Sequence, residues 1–134
     1  MRELKVPFVP RNVYEFNSQL MPALKLLCPS ESHRFHCEDL LKVGLGDLEQ
    51  CEGLVAGPPC PPWSSLGARA SEWDSRADVF KRVVEWIFVL SAGSLKWFVL
   101  ENVCGIMARS RKDAAAGSFL DKVLAKLREG LKEH

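Results

Sequence analysis

Among the 134 residues of this chain, the one best suited to chemistry is Cys60. It lies in the run Pro-Pro-Cys-Pro-Pro at residues 58–62, directly after the short apolar segment of residues 53–56. Four prolines in five positions end any regular element, so the segment must break into a rigid loop there. A cysteine that is held rigidly and partly exposed suits a nucleophile. A lone cysteine is more often a small buried hydrophobe, and the spacing alone leaves both interpretations open.

A second candidate is Glu101, which follows the apolar run Lys-Trp-Phe-Val-Leu at residues 96–100. A carboxylate in that position either caps a helix or forms an ion pair, or it is an acid poised in a cleft. Because Cys60 and Glu101 each follow a predicted strand, the two together favour a site more than either does alone.

The remaining sequence must form the elements that position these residues. Runs of β-favouring or apolar side chains predict strands at residues 12–16, 32–36, 53–56 and 96–100. Helical periodicity predicts helices at residues 18–27, 76–90 and 114–131, and a helical turn at 38–43. This alternation predicts an α/β fold with a mostly parallel sheet that helices cover on both faces. Ligands of such sheets bind at the carboxyl ends of the strands, which selects Glu15, the Cys60 loop and Glu101.

Composition sets further bounds. Lys and Arg total 18 against 17 Asp and Glu, and the net charge of +1 gives no general signal for nucleic acid. No apolar run reaches the about 18 residues of a membrane span, so no membrane partner is expected. Five irregularly spaced cysteines indicate reduced thiols and an intracellular protein, nuclear if eukaryotic. The cluster of Cys28, His33, His36 and Cys37 lacks the paired spacing of structural zinc sites, so no metal is predicted.

Three segments resemble motifs of the cytosine-5 DNA methyltransferases. Residues 57–64 (GPPCPPWS) are similar to the proline-cysteine loop of that family. Residues 98–105 (FVLENVCG) resemble its strand that ends in Glu-Asn-Val. Asp74-Ser75-Arg76, followed by a long amphipathic helix, stands between them as it does in the family. Three motifs in the family's order and at its spacing are far more specific than any one of them.

The resemblance implies a Rossmann-like fold that uses S-adenosylmethionine, and a covalent mechanism. Cys60 is expected to add to carbon 6 of a cytosine flipped out of the DNA stack, where the atom becomes reachable. Methyl transfer to carbon 5 and loss of its proton then release the product. The resemblance implies that Glu101 hydrogen-bonds ring nitrogen 3 and the exocyclic amine of the flipped cytosine. It assigns Pro58, Ser64, Asn102 and Val103 to the substrate loop.

For the cofactor, the resemblance implies binding by Glu15, Asp39 and Pro59. Glu15 corresponds to the contact with the ribose hydroxyls and Asp39 to that with the adenine amine. For each of these two residues, a solvated loop carboxylate is the open alternative.

The chain also departs from the family pattern. Pro61 replaces the glutamine that follows the nucleophile. No aromatic-Gly-x-Gly loop precedes residue 12, and no Gln-x-Arg-x-Arg motif or target-recognition region follows. We therefore expect residues 1–134 to be one incomplete methyltransferase catalytic domain. Two alternatives stay open, namely methylation of cytosine in transfer RNA and an inactive fragment that serves as an interaction module.

Overall fold

The computed structural model describes residues 10–27, 33–63, 74–108 and 117–132. The chain divides into two compact units, Met1–Val43 and Gly44–His134. Each unit contains one pair of hydrogen-bonded parallel strands. No helix within the described ranges is long and apolar enough to cross a membrane. The expectation of a single catalytic domain over residues 1–134 stays a prediction.

The first unit is built on strands β1 (Asn12–Tyr14) and β2 (Arg34–His36). They pair in parallel with Val13 opposite Phe35. A 3₁₀ turn at Ser18–Leu20 leads into helix α1, Met21–Leu27. Strand β1 ends two residues earlier than predicted, although the Glu15 N–H still donates to the His36 carbonyl at 3.0 Å. Both strands therefore end at the same edge of the sheet, with Glu15 directly beyond that edge.

The second unit repeats this arrangement with strands β3 (Gly53–Ala56) and β4 (Trp97–Leu100), again parallel. Helix α2, Ala77–Ser91, lies between them in the sequence, and helix α3, Phe119–Gly130, follows. The bounds of α2 and β4 agree with their predictions to within one residue. Short parallel sheets flanked by helices confirm the α/β fold class, and the arrangement is that of a partial methyltransferase fold.

The core of the second unit is formed where α2 and α3 meet the sheet and the loops. Helical periodicity places the apolar residues of α2 on one stripe, and the middle of that stripe is almost fully buried. The core cluster consists of Trp63, Ala77, Phe80, Val84, Ile87, Ile106, Phe119, Val123 and Leu127. Helix α3 contributes Phe119, Val123 and Leu127 to this core, whereas Leu124 is 38% exposed.

Among the described residues, the helices of this unit pack against one face of the β3–β4 sheet. Leu54, Phe98 and Leu100 pack against the core. Val55 and Val99 point the other way and are 59% and 50% exposed. Because successive side chains of a strand alternate between faces, an apolar run does not distinguish one covered face from two. The prediction that helices cover both faces of the sheet is therefore wrong for this sheet in the part of the chain that the structure describes.

Helix α3 begins later than the predicted residue 114. Gly117 has a φ of +72° and Ser118 is extended, so neither belongs to the helix. Ser118 is the N-cap, and its hydroxyl accepts from the Asp121 N–H at 3.1 Å. The Asp121 carboxylate accepts from the Ser118 N–H at 2.8 Å, which completes a capping box. The predicted start was too early because the periodicity of side chains carries no information on φ. Residues 114–116 lie outside the described residues.

Replacing Ser118 with alanine is expected to lower the free energy of unfolding by about 1 kcal/mol. The change removes the acceptor of the Asp121 N–H at a site that is 3% exposed. Urea unfolding followed by circular dichroism measures the difference. Ser75→Ala, at an exposed serine before α2, is the matched control and is expected to change stability by under about 0.5 kcal/mol. Equal effects of the two substitutions would contradict the role of the cap.

Candidate active site

The carboxyl ends of β3 and β4 lie side by side. The Glu101 N–H donates to the Ala56 carbonyl at 2.9 Å, which continues the ladder one residue beyond β4. A Cβ atom on Gly57 would lie 3.4 Å from Oε2 of Glu101. The Glu101 carboxylate therefore lies against the backbone at the start of the proline-cysteine loop. Parallel pairing brings together two segments that are 44 residues apart in the sequence.

Inside the loop, the carbonyl of the buried Pro58 accepts two hydrogen bonds. Nδ2 of Asn102 donates to it at 3.1 Å, and Sγ of Cys60 lies 3.9 Å from the same oxygen. Oδ1 of Asn102 accepts from the Val103 N–H at 2.9 Å, which orients the amide. The thiol contact is long and weak, so turning the half-buried thiol away from Pro58 costs little. Asn102 thus ties the strand that carries Glu101 to the loop that carries Cys60.

The loop is anchored beyond Cys60 by Trp63. The backbone N–H of Trp63 donates to the Cys60 carbonyl at 2.9 Å, which closes a turn. The indole is 7% exposed, and its ring lies 5.7 Å from that of Phe80 and 4.9 Å from that of Phe119, centroid to centroid. Three of the residues predicted for the substrate loop are joined by the hydrogen bonds of Asn102, namely Pro58, Asn102 and Val103. Pro59, which was predicted to bind the cofactor, lies between Pro58 and Cys60 in the sequence. Ser64 lies outside the described residues.

The Asp74-Ser75-Arg76 motif forms the first turn before α2. The Asp74 carbonyl accepts from the Ala77 N–H at 2.8 Å. The Asp74 carboxylate accepts from the Arg76 guanidinium, with Nε at 2.9 Å from Oδ1. This hydrogen-bonded guanidinium lowers the pKa of Asp74 to about 2. The motif therefore has a local structural role, because its hydrogen bonds stabilise the turn that leads into α2. Helix α2 in turn packs against Trp63 of the proline-cysteine loop.

In the first unit, Asp39 lines a pocket with a volume of about 410 Å³. The other lining residues are Phe16, Cys37, Glu38 and Lys42. The ring of Phe16 is 74% exposed. Phe16 falls within the predicted strand of residues 12–16, whereas the observed strand ends at Tyr14. The signal that was available was an aromatic residue directly after a carboxylate at the end of a strand.

The two predicted cofactor carboxylates both cap backbone groups. Oδ1 of Asp39 accepts from the Leu41 N–H at 3.0 Å and holds the predicted turn. Oε1 of Glu15 accepts from the Asn17 N–H at 2.7 Å. The structure brings Asp39 and Phe16 to one pocket, whereas Glu15 precedes Phe16 and is not among the residues that line it.

The histidine and cysteine cluster of the first unit is engaged in local contacts. Nε2 of His36 lies 2.9 Å from Oδ1 of Asn12, and its ring stacks on Tyr14 with centroids 4.4 Å apart. Within the described residues, no group of three or more ligating side chains is placed to hold a metal ion. Cys28 lies outside those residues. Cys37, Cys51, Cys60 and Cys104 are free thiols.

Comparison with known proteins agrees with this geometry. The profile of the C-5 cytosine-specific DNA methylases matches residues 17–129. The chain is 34% identical over 100 residues to the Type II methyltransferase M.NgoBV of Neisseria gonorrhoeae, covering 74% of this chain and 23% of that protein. It is 34% identical over 99 residues to M.NlaIV of Neisseria lactamica, covering 73% of this chain and 23% of that protein. The chain thus spans about a quarter of the length of these relatives.

The matched region contains the proline-cysteine loop, the strand that ends in Glu101 and both long helices of the second unit. It extends over most of the chain and is not confined to one short motif. The chain belongs to the C-5 cytosine-specific DNA methylase family.

Proposed function

We propose that this chain carries the nucleophile and the base-recognition carboxylate of an enzyme that methylates carbon 5 of cytosine in DNA. One observation carries the proposal: the Cys60 loop and Glu101 lie together at the ends of two parallel strands in a chain of the methylase family. The carboxyl end of a parallel sheet is where such folds bind their ligands. The Type II methyltransferases among its relatives support DNA as the substrate.

Cys60 acts as the nucleophile. Its thiolate forms a bond to carbon 6 of the cytosine, and the electron pair of the 5,6 double bond moves toward carbon 5. Carbon 5 would then take the methyl group that bound S-adenosylmethionine supplies, and the cofactor's sulfur, on losing its bond to that methyl, would be left as a neutral thioether. A base removes the proton of carbon 5, the double bond returns, and the bond between sulfur and carbon 6 breaks. The hydrogen bond from Asn102 to the Pro58 carbonyl and the turn closed by Trp63 hold the nucleophile during these steps.

Glu101 recognises the base and stabilises its developing charge. Addition at carbon 6 places negative charge on ring nitrogen 3, and the Glu101 carboxyl group hydrogen-bonds that atom. The second oxygen accepts from the exocyclic amine, which distinguishes cytosine from uracil. A preorganised donor aimed at developing charge is among the largest single contributions to catalysis. Oε2 lies 3.4 Å from the position that a Cβ atom on Gly57 would take, so the carboxylate is beside the loop.

The pocket of the first unit suits the adenosine part of S-adenosylmethionine. Its volume of about 410 Å³ lies within the range of small-molecule sites, roughly 300–1,000 Å³. Asp39 offers a carboxylate to the adenine amine, and the exposed ring of Phe16 offers a stacking face. Glu15, next to Phe16 in the sequence, offers a carboxylate for the ribose hydroxyls. When bound, S-adenosylmethionine supplies an electrophilic methyl group.

The test is transfer of a tritiated methyl group from S-adenosylmethionine by the complete protein in which this chain occurs. Double-stranded DNA and transfer RNA are offered separately, and labelled nucleosides are then separated. We expect label in 5-methylcytosine from DNA, none from transfer RNA, and none with Cys60→Ser. Label in transfer RNA alone would establish the RNA alternative. A folded protein that binds S-adenosylmethionine yet labels neither substrate would establish the inactive interaction module.

A further inference from the structure

The backbone of Gly105 makes a close contact with that of Trp63. Gly105 lies in the 3₁₀ turn Cys104–Met107, shortly after the strand that leads to Glu101. A Cβ atom on Gly105 would overlap the Trp63 carbonyl oxygen and lie 2.9 Å from the carbonyl carbon. Backbone atoms cannot rotate away as the end of a side chain can. Any residue other than glycine therefore pushes the two segments apart.

Trp63 cannot retreat from this contact because its side chain is held in the core. The indole is 7% exposed and packs against the rings of Phe80 and Phe119. Phe80 is itself 2% exposed. Protein interiors are packed closely enough that a shift at one core side chain is resisted by its neighbours. A side chain at position 105 would thus displace the backbone of the loop while the ring stays in place.

This contact is connected directly to the nucleophile. The hydrogen bond from the Trp63 backbone N–H to the Cys60 carbonyl closes a turn that runs from residue 60 to residue 63. On the other side of Cys60, Asn102 holds the Pro58 carbonyl. Residues 102–105 therefore hold the loop at two points, one on each side of Cys60.

We propose that Gly105 and Trp63 are positioning residues for Cys60, and that their backbone contact sets the geometry from which the thiolate attacks cytosine. The inference rests on the proposed function of Cys60 as the nucleophile. Neither residue touches the reacting atoms in this role. A misplacement of about 1 Å at a reacting group costs on the order of 10²-fold in rate. A displacement of the loop therefore affects attack far more than it affects the overall fold.

The indole of Trp63 provides a conservative variant. Its Nε1 is buried and has no hydrogen-bond partner among the described residues, an arrangement that is unfavourable for stability. Phenylalanine keeps an aromatic ring between Phe80 and Phe119 and removes this donor. Alanine removes the anchor altogether. If anchoring is what matters, Trp63→Phe retains most of the activity that Trp63→Ala loses.

The experiment compares Gly105→Ala with Gly46→Ala in the complete protein. Gly46 has open space around its missing Cβ, so it is the matched control. Two rates are measured: formation of the covalent adduct with DNA that contains 5-fluorocytosine, and alkylation of each cysteine by iodoacetamide, read by peptide mass spectrometry. We expect Gly105→Ala to slow adduct formation about 10²-fold. We expect alkylation of Cys60 to rise above the wild-type rate while that of Cys51 is unchanged. Gly46→Ala should alter neither rate.

The two readouts separate positioning from stability. If Gly105→Ala unfolds the protein, Cys51 also becomes reactive, and the decision passes to the Trp63 pair. There we expect Trp63→Phe to form adduct within about fivefold of wild type, and Trp63→Ala to fall about 10²-fold. Wild-type adduct and alkylation rates in Gly105→Ala, or equal rates in Trp63→Phe and Trp63→Ala, would overturn the inference. If the wild-type protein forms no adduct, the proposed function fails, while selective exposure of Cys60 in Gly105→Ala still supports the contact.

Discussion

Cys60→Ser is expected to abolish the covalent adduct between the complete protein and DNA that contains 5-fluorocytosine. After methyl transfer, carbon 5 of this base carries fluorine where cytosine carries a proton. No base can remove the fluorine, so the bond between sulfur and carbon 6 persists. A serine hydroxyl is a far weaker nucleophile than a thiolate at neutral pH. Removal of a nucleophile costs on the order of 10⁴-fold or more, which places the variant below detection.

The measurement is a denaturing gel in which a labelled oligonucleotide shifts with the protein in the presence of S-adenosylmethionine. Cys51→Ser is the matched control because it makes the same change at another half-buried thiol of the second unit. Burial raises the pKa of Cys51, which makes its thiolate scarcer at neutral pH. This control should shift the oligonucleotide as wild type does. A shift that persists in Cys60→Ser but is lost in Cys51→Ser would show that Cys51 is the nucleophile and that Cys60 is not.

The second large effect is expected from Glu101→Gln. Glutamine keeps the shape of the side chain but has no acidic proton, and its amide presents one donor group and one acceptor. Glutamine therefore keeps a donor and an acceptor but cannot neutralise the charge on ring nitrogen 3 by giving up a proton, and loss of stabilisation of developing charge costs about 10²- to 10³-fold in rate. We therefore expect methyl transfer to DNA and adduct formation to fall together by that factor. Single-turnover rates with excess protein measure both steps without interference from product release.

Glu52→Gln is the control for this substitution. Glu52 is an exposed carboxylate directly before the amino end of β3, with Oε1 at 2.7 Å from Nζ of Lys96. Exposed ion pairs contribute little to stability, and this one is at the opposite end of the strand pair from Glu101. The control should methylate DNA at the wild-type rate. Should Glu101→Gln also do so while Cys60→Ser is inactive, the carboxylate has no part in base recognition.

Much of this arrangement follows from local sequence. The four prolines around Cys60 dictate an irregular loop wherever the chain folds, because proline restricts its own backbone and lacks an N–H. The apolar stripe of residues 76–90 and the apolar run before Glu101 identify a helix and a strand through periodicity and length. The loop and the carboxylate were then expected at one edge because parallel strands end together.

Local patterns were less informative at the boundaries of elements and at their surfaces. The late start of α3 depends on the positive φ of Gly117 and on the Ser118 cap. The exposed outer face of β3 and β4 depends on which helices lie against the sheet. An apolar strand has the same pattern whether one face is covered or both. These features are decided by neighbouring elements, so the mistaken expectations arose there.

Cys60 and Glu101 could be selected from residue type, spacing and motif alone. Their chemistry follows from residue type, and their position after a strand follows from the residues next to them in the sequence. The groups that hold them could not be selected in that way. The shared acceptor at Pro58 and the overlap that excludes a side chain at Gly105 each join segments about 40 residues apart. The core anchor of Trp63 joins it to Phe80 and Phe119, which are 17 and 56 residues away. Contacts between such distant segments exist only after the chain has folded, because tertiary packing sets the distance between their backbones.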